Sequence, residues 1–351
     1  MLDGTSFREL VSGRRCGVGA TLARGVLRLT EVPYAAAVRW RNRRYDRRQA
    51  AVYRVGVPVV SVGNLTLGGT GKTPLVKWLA RWLAERNVNA AIVSRGYGTS
   101  AGRPNDEALE LAQTLPDVPH VQNPDRVAAA RQAIDEFGCQ LIILDDGFQH
   151  RRLARDLDVV LLDATEPFGC EHVFPRGTLR EPLAGLTRAD VVCLSRADLL
   201  DGAGRERIRQ RVVELAPRAV WCEAAHAPRE LRNASGHVWP LSALAGRRLA
   251  AFCGIGNPAA FRHALAAAGG DVVSWREFPD HHRYAAADRA ELARVAAASA
   301  AELVVCTEKD LVKLPVETLG ERPLWALAID MQILAGREEF DAMLNRVVPA
   351  T

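Results

Sequence analysis

Along this chain, short continuous apolar runs alternate with longer stretches of helical periodicity. Val57–Val62, Ala90–Ser94, Leu141–Leu144, Val159–Leu162 and Val191–Leu194 are largely β-branched or aliphatic and too short for helices, so they predict buried strands. Between the first two, Leu75, Val76, Leu79, Trp82 and Leu83 recur at i, i+1, i+4, i+7 and i+8, one apolar helical face. Asp106-Glu107 precede a second helical run over Ala108–Leu115, and Asn123-Pro124 opens a third over Asp125–Phe137. Strands apolar throughout, separated by helices, imply a parallel sheet covered on both faces, with its ligand site at the carboxyl ends of the strands. Residues 223–248 break the pattern. They are polar, with Pro228, Pro240 and Ser235-Gly236, and read as a connector of extended chain. Leu249–Cys253, Val272–Phe278, Leu303–Thr307 and Leu324–Ile329 then predict a second α/β unit, in which Gly254-Ile255-Gly256 reads as a tight strand-to-helix turn.

The segment ahead of the first strand has another pattern. From Phe7 to Trp40 apolar residues recur at helical spacing (Leu22, Val26, Leu29, Val32, Ala36, Ala37), and Pro33 is expected to divide the segment into two helices. Arginines interrupt it too often for a membrane span. Charge sharpens the contrast. Twelve arginines face three acids between Arg8 and Arg54, a net +9. The chain as a whole carries +5 and Asp3 adds one negative charge, so residues 55–351 carry −3. An apolar face beside a cationic cluster (Arg39, Arg41, Arg43, Arg44, Arg47, Arg48) suits an anionic bilayer surface, and equally a helix packed on its own domain. No secretory leader is expected, and the aromatic stacking motifs of RNA-binding modules are absent, so nucleic acid is not an expected partner. A chain of 351 residues predicts two domains. Seven scattered cysteines, several inside apolar runs, predict buried free thiols.

The chemistry concentrates after the first strand. Thr66, Leu67, Gly68, Gly69, Thr70, Gly71, Lys72 and Thr73 form a glycine-rich turn between strand and helix, closing the G-x-x-x-x-G-K-[ST] template except that Thr66 stands at its first glycine. Such a turn aims backbone N–H groups and a helix N-terminus at phosphate oxygens. Lys72 would reach the β- and γ-phosphates, and Thr73 with Asp145 or Asp146, at the end of a buried strand, would hold Mg²⁺. A kinase must also accept the proton of its acceptor hydroxyl, for which Asp106, Asp146, His150, His281 and His282 are the candidates. Arg176 and Arg180-Glu181 read either as a phosphate clamp or as surface salt bridges.

These blocks resemble the tetraacyldisaccharide 4′-kinase family of lipid A biosynthesis. The matching stretches are Gly63-Asn64-Leu65-Thr66 through Gly71-Lys72-Thr73-Pro74, Ser94-Arg95-Gly96-Tyr97-Gly98 and Asp145-Asp146-Gly147-Phe148-Gln149-His150. Leu179-Arg180-Glu181-Pro182, Phe278-Pro279-Asp280-His281-His282 and Thr307-Glu308-Lys309-Asp310 follow. Thr66 fits the family, which commonly has a small hydroxyl residue there, whereas Arg176 and Thr178 depart from its P-A-G-P-L-R-E-P block. The resemblance implies a P-loop NTPase-like three-layer α/β/α domain joined by a β-ribbon to a second, smaller α/β domain. It also implies an N-terminal amphipathic helix docked on the cytoplasmic face of the bacterial inner membrane. On this sequence that gives a helical segment over 1–48, a kinase core over 49–222, a connector over 223–248 and a C-terminal domain over 249–351.

The implied reaction moves the γ-phosphate of ATP to the 4′-hydroxyl of tetraacyldisaccharide 1-phosphate, with Mg²⁺ and in a monomer. By resemblance, Lys72 and Thr73 contact phosphate and metal, Asp145 and Asp146 are metal-site acids, and Asp106 and His281 form the catalytic pair. Tyr97, Arg126, His150, Arg180 and Glu181 match positions that bind substrate. The rival expectation is a P-loop GTPase switch or metallochaperone, motivated by Ser195-Arg196-Ala197-Asp198, which is similar to a guanine-reading N-K-x-D motif. A switch has no need of an arginine-rich helix facing acyl lipid.

Overall fold

The computed structural model describes residues 4–96, 106–280 and 282–349. In chain order it opens with α1 (Gly4–Val11) and α2 (Val18–Asp46), followed by β1 (Val59–Asn64), α3 (Lys72–Ala84), β2 (Ala90–Ser94) and α4 (Asp106–Thr114). Next come β3 (His120–Gln122), α5 (Arg126–Phe137), β4 (Leu141–Asp145), β5 (Leu157–Asp163), β6 (Val191–Ser195), α6 (Gly202–Leu215), β7 (Val220–Arg232) and β8 (Val238–Pro240). The chain closes with β9 (Arg248–Cys253), α7 (Pro258–Ala267), β10 (Asp271–Glu277), α8 (Ala286–Ala298) and β11 (Leu303–Thr307). After these stand α9 (Glu308–Leu311), β12 (Thr318–Leu319), β13 (Arg322–Ala335) and α10 (Arg337–Val347).

Two compact units result, and neither is one continuous stretch. The first contains residues up to Arg95, Val121–Ala225 and everything from Ile333; the second contains Gly96–His120 and His226–Gln332. In the first, β2, β4, β1, β5 and β6 lie side by side and all parallel, and the start of β7 pairs with β6. Alternate residues of these strands feed two cores. Val160, Leu162, Val192 and Leu194 join Leu65, Phe148, Ile208 and Val212 on one face. Val59, Ala91, Val93, Ile142 and Leu144 join Val127, Ala130 and Leu153 on the other. Each fully buried Val, Leu, Ile or Phe among them contributes about 1.5–3 kcal/mol relative to leaving it in water. The C-terminal helix α10 belongs to this unit because Phe340 is fully buried, stacked on Trp78 of α3 at 5.4 Å, with the Arg337 guanidinium over the same indole.

The second unit repeats the plan with fewer parallel strands. β10, β9, β11 and β13 are parallel neighbours. Leu249, Ala251, Val305 and Leu327 pack to one side, and Ala250, Phe252, Val304 and Ala326 to the other. Here the polar stretch beginning at 223 is the far half of β7, which turns back on β8 in an antiparallel pair (Glu230↔Pro240, Leu231↔Trp239, Arg232↔Val238).

Pro33 does not divide the N-terminal segment as expected. Helix α2 runs through it, and the break falls earlier, where Gly13 and Gly17 take φ of 83° and 113°. Proline removes one helical hydrogen bond, but contacts on either side hold the helix in place. Glu31 accepts from the Val173 N–H at 2.9 Å and meets the His172 ring at 3.2 Å, while Ala35 and Val38 are buried and Asn42 donates to Glu181 at 2.7 Å. Among the described residues no helix is long and apolar enough to cross a membrane. All seven cysteines are free; Cys139, Cys193, Cys222, Cys253 and Cys306 are buried as expected, and Cys16 is exposed.

Candidate active site

The phosphate loop begins where β1 ends. In the parallel register of β1 and β4, Val62 lies opposite Asp145, so the strand that launches the loop also brings up the two acids. Gly63 is required by this closeness, because a Cβ there would fall 2.6 Å from the Cβ of Phe148. Gly71, at φ 88° and ψ 26°, stands as the left-handed residue ahead of α3, leaving that helix's first N–H groups directed into the turn.

Segments distant in sequence fix the loop's outer edge. The Leu67 N–H donates to the Thr178 carbonyl and the Arg180 N–H to the Leu65 carbonyl, both at 2.7 Å. The Thr66 carbonyl, at the position where the template has glycine, accepts from Asn64 Nδ2 at 2.9 Å and Arg180 Nε at 3.1 Å. On the other side Ser195 Oγ donates to the Thr70 carbonyl at 2.7 Å, and Arg196 Nη2 donates to the Gly69 carbonyl at 3.1 Å while Nη1 pairs with Asp163. Ser195 and Arg196 are therefore spent on holding the phosphate loop. In sequence they stand as a polar pair at the end of a buried strand and open the stretch similar to N-K-x-D; in the structure both side chains are engaged by loop carbonyls.

Within the loop's reach lies a charge network. Lys72 Nζ is 3.4 Å from Asp146 Oδ1 and donates to Asn64 Oδ1 at 3.4 Å. Arg180 Nη1 donates to both Asp146 oxygens, at 2.9 and 2.8 Å. Burial opposes ionisation of Asp146, but Lys72 and Arg180 outweigh it and hold the carboxyl below the usual carboxylate range. Arg180 thus clamps a carboxylate here. Its neighbour Glu181 is enclosed, with no exposed surface, and accepts from Asn42 (2.7 Å), Gln149 (3.1 Å) and Arg188 (2.8 and 2.9 Å). Arg176 donates to the Val11 carbonyl at 3.0 Å.

Arg126 lies within electrostatic reach of Asp145 and Asp146, and His150 within reach of Arg126. Asp125 caps α5 by accepting from the N–H groups of Val127 and Ala128, which places Arg126 as the buried first residue of the helix. Burial and the charge of Arg95 lower the Arg126 pKa, against the pull of Asp146 and Asp145. His150 is pushed down to about 4 by burial and by Arg126 and Arg155, so its imidazole is neutral at pH 7.

In the second unit, Asp106 is the first residue of α4, which packs beside α9. Tyr97 and His281 lie outside the described residues. The residues on either side of His281 are held: Asp280 receives the Lys309 ammonium at 2.9 Å, and His282 Nε2 meets Asp288 at 3.0 Å with its ring stacked on Phe278 at 4.6 Å. Asp310, fully buried, accepts from the Gly254 N–H at 3.0 Å, Tyr284 Oη at 2.9 Å and Thr307 Oγ1 at 2.7 Å, which ties the Thr307–Asp310 block to the Gly254 turn.

The donors offered to a metal, the Thr73 hydroxyl and the Asp145 and Asp146 carboxylates, are hard oxygens of the kind Mg²⁺ takes. Among the described residues no three or more His, Cys, Asp or Glu side chains gather into an all-protein cage. The set fits an ion completed by phosphate oxygens and water.

Residues 23–349 match the family model of tetraacyldisaccharide-1-P 4′-kinase (LpxK). Among similar proteins, a tetraacyldisaccharide 4′-kinase from Anaeromyxobacter dehalogenans strain 2CP-C is 42% identical over 350 residues, covering 94% of this chain and 92% of that one. Another from Geobacter sulfurreducens is 36% identical over 363 residues, covering 97% and 98%. A crystal structure described as the "apo" form of LpxK from Aquifex aeolicus in complex with ATP superposes with a TM-score of 0.75 at 28% identity, covering 93% of this chain and all of that one. With its phosphate loop, paired acids and nearly full-length match, this chain belongs to the tetraacyldisaccharide-1-P 4′-kinase family.

Proposed function

We propose that this protein transfers the γ-phosphoryl group of ATP to the 4′-hydroxyl of tetraacyldisaccharide 1-phosphate, the step of lipid A biosynthesis that yields lipid IVA. The observation carrying the reading is the phosphate loop over Thr66–Thr73, with Lys72 and Asp146 paired at its mouth in a chain of this family. In the reaction, the bond from Pγ to the β,γ-bridging oxygen breaks and its electron pair stays on ADP. A bond forms from Pγ to O4′, and the hydroxyl proton leaves. Lys72 would exchange its Asp146 partner for the β- and γ-phosphates. Thr73 and Asp145, with Asp146 once Lys72 has turned away, would hold Mg²⁺, which when bound would supply positive charge to offset that of the phosphates. Asp106 and His281 are proposed to take the proton, on the resemblance of their blocks to the family's. Arg126, His150, Arg180 and Tyr97 are proposed to line the substrate region, with Arg180 acting through its grip on Asp146. Glu181, enclosed by Asn42, Gln149 and Arg188, supports them from within.

The acceptor is a bilayer lipid, and α2 supports docking at an anionic membrane surface. Val18, Leu22, Val26, Leu29, Val32 and Trp40 fall within a ~120° arc of that helix, and each is more than 60% exposed. Ala20, Glu31, Ala35, Val38 and Asn42 occupy the opposite side. Arg44 lies over the Trp40 ring at 5.1 Å, a cation beside an aromatic anchor.

Steady-state kinetics of variants test the assignment of roles. Lys72→Ala is expected to lower kcat by about 10²-fold or more, the scale for removing one charge-stabilising donor. His281→Ala is expected to lower kcat by ~10²-fold or more while ATP affinity stays within about threefold. An unchanged kcat for His281→Ala would remove the proposed pair.

A further inference from the structure

Besides Lys72, Arg180 and Arg196, a further cation meets the phosphate loop, and it comes from a segment ahead of residue 23, where the family match begins. Arg8 lies on α1, and its guanidinium rests on Gly68: a Cβ built on that glycine would fall 2.6 Å from Nη2 and 3.8 Å from Cζ. Gly68 is exposed, has φ 113°, and stands third of the eight residues Thr66–Thr73. Helix α1 is anchored there on several sides. Leu10 and Val11 are buried, and the Val11 carbonyl accepts from Arg176 Nη1 at 3.0 Å. The Phe7 ring packs on Phe174 at 6.1 Å, and Phe174 meets Tyr34 of α2 edge-on at 6.0 Å. Arg24 of α2 donates to the carbonyls of Leu10 (3.3 Å) and Arg15 (2.9 Å), closing the α1–α2 hairpin. The backbone is thus held while the Arg8 side chain stays exposed at the loop.

A triphosphate brings about four negative charges to a loop whose own cation, Lys72, is shared with Asp146. A guanidinium suits the need, because its planar fork donates to two phosphate oxygens at once and does not lose its proton. We propose that Arg8 is a further phosphate-binding residue of the nucleotide site, delivered by α1 to the γ-phosphoryl oxygens of ATP held in the loop. There its charge offsets the one that spreads over those oxygens as the group leaves ADP; Arg8 keeps its protons throughout. This rests on the reading that the loop binds ATP.

Calorimetric titration of the full chain with ATP and with ADP, alongside kcat, tests it. Arg8→Ala is expected to weaken ATP binding by about tenfold and leave ADP within about twofold, because only ATP carries the γ-phosphate. The same variant is expected to lower kcat by about tenfold or more, and Arg8→Lys to recover part of the ATP preference. A general disturbance of α1 would weaken both nucleotides alike, and that result would overturn the proposal, as would an unchanged ATP-to-ADP ratio. Failure of the unaltered protein to bind either nucleotide would instead overturn the ATP reading itself, and this inference with it.

Discussion

Asp146 occupies a left-handed backbone position, φ 53°, and pairs with two cations, Lys72 and Arg180. Nearby, His150 shows how the same crowding of positive charge acts on stability. Burial, Arg126, Arg155 and Arg152 disfavour its protonated form, against the pull of Asp125. Its folded pKa of about 4 lies below the ordinary 6.5. Between those values the unfolded chain binds the extra proton, so stability is full above pH 6.5 and falls as pH drops toward 4. His120, pushed to about 4 by burial, adds to the same window. Urea unfolding at pH 7 and pH 5 is expected to show a smaller loss for His150→Asn than for the parent, and a smaller one still with His120→Asn added. Equal losses in all three proteins would contradict these environments. Local pattern made some residues legible and hid others. Gly71 and Asp125 act on neighbours a few positions away, so strand-turn-helix spacing announces them, and Lys72 is announced by its place in the same turn. Glu181 answers to Asn42, Gln149 and Arg188, and Arg196 to Gly69 and Asp163, across separations that no periodicity encodes.

Helix α2 shows the same division at the scale of elements. Its stripe of exposed apolar residues was readable from spacing, but its course through Pro33 depends on Glu31, Ala35 and Asn42 finding partners beyond residue 147 or in the core. Those contacts also mean that removing the helix would strip buried surface from the first unit, so its exposed face is better tested by charge. Leu22 and Leu29 are 66% and 75% exposed. The pair Leu22→Asp and Leu29→Asp is expected to leave the melting temperature within about 2 °C, as surface changes do. It is also expected to lower binding to vesicles containing phosphatidylglycerol by about tenfold or more. Undiminished vesicle binding would count against this face as the membrane contact. The five parallel strands of the first unit were legible because both faces are buried, which leaves continuous apolar runs. By contrast β13 extends to Ala335, well beyond its apolar stretch at Leu324–Ile329, since its far end is no longer covered on both sides.

For the molecule as a whole, sequence reading divides the chain into consecutive segments, whereas the structure exchanges pieces between units: residues 96–120 belong with the second, and 333–351 return to the first. The return has a packing cause in Phe340 and Trp78, residues about 260 positions apart that a linear reading has no means to pair. What ties the scales together is a single chemical claim. The loop after β1, the acids after β4 and the apolar face of α2 belong to a kinase that takes its phosphate from ATP and gives it to a membrane lipid. The direct measurement is the fate of label from γ-labelled ATP, incubated with the protein, Mg²⁺ and tetraacyldisaccharide 1-phosphate in detergent micelles. We expect the label on the 4′ position of the lipid, with GTP a poor substitute and little nucleotide turnover when the lipid is withheld. Label released only as inorganic phosphate whether or not the lipid is present, or a preference for GTP, would contradict the account.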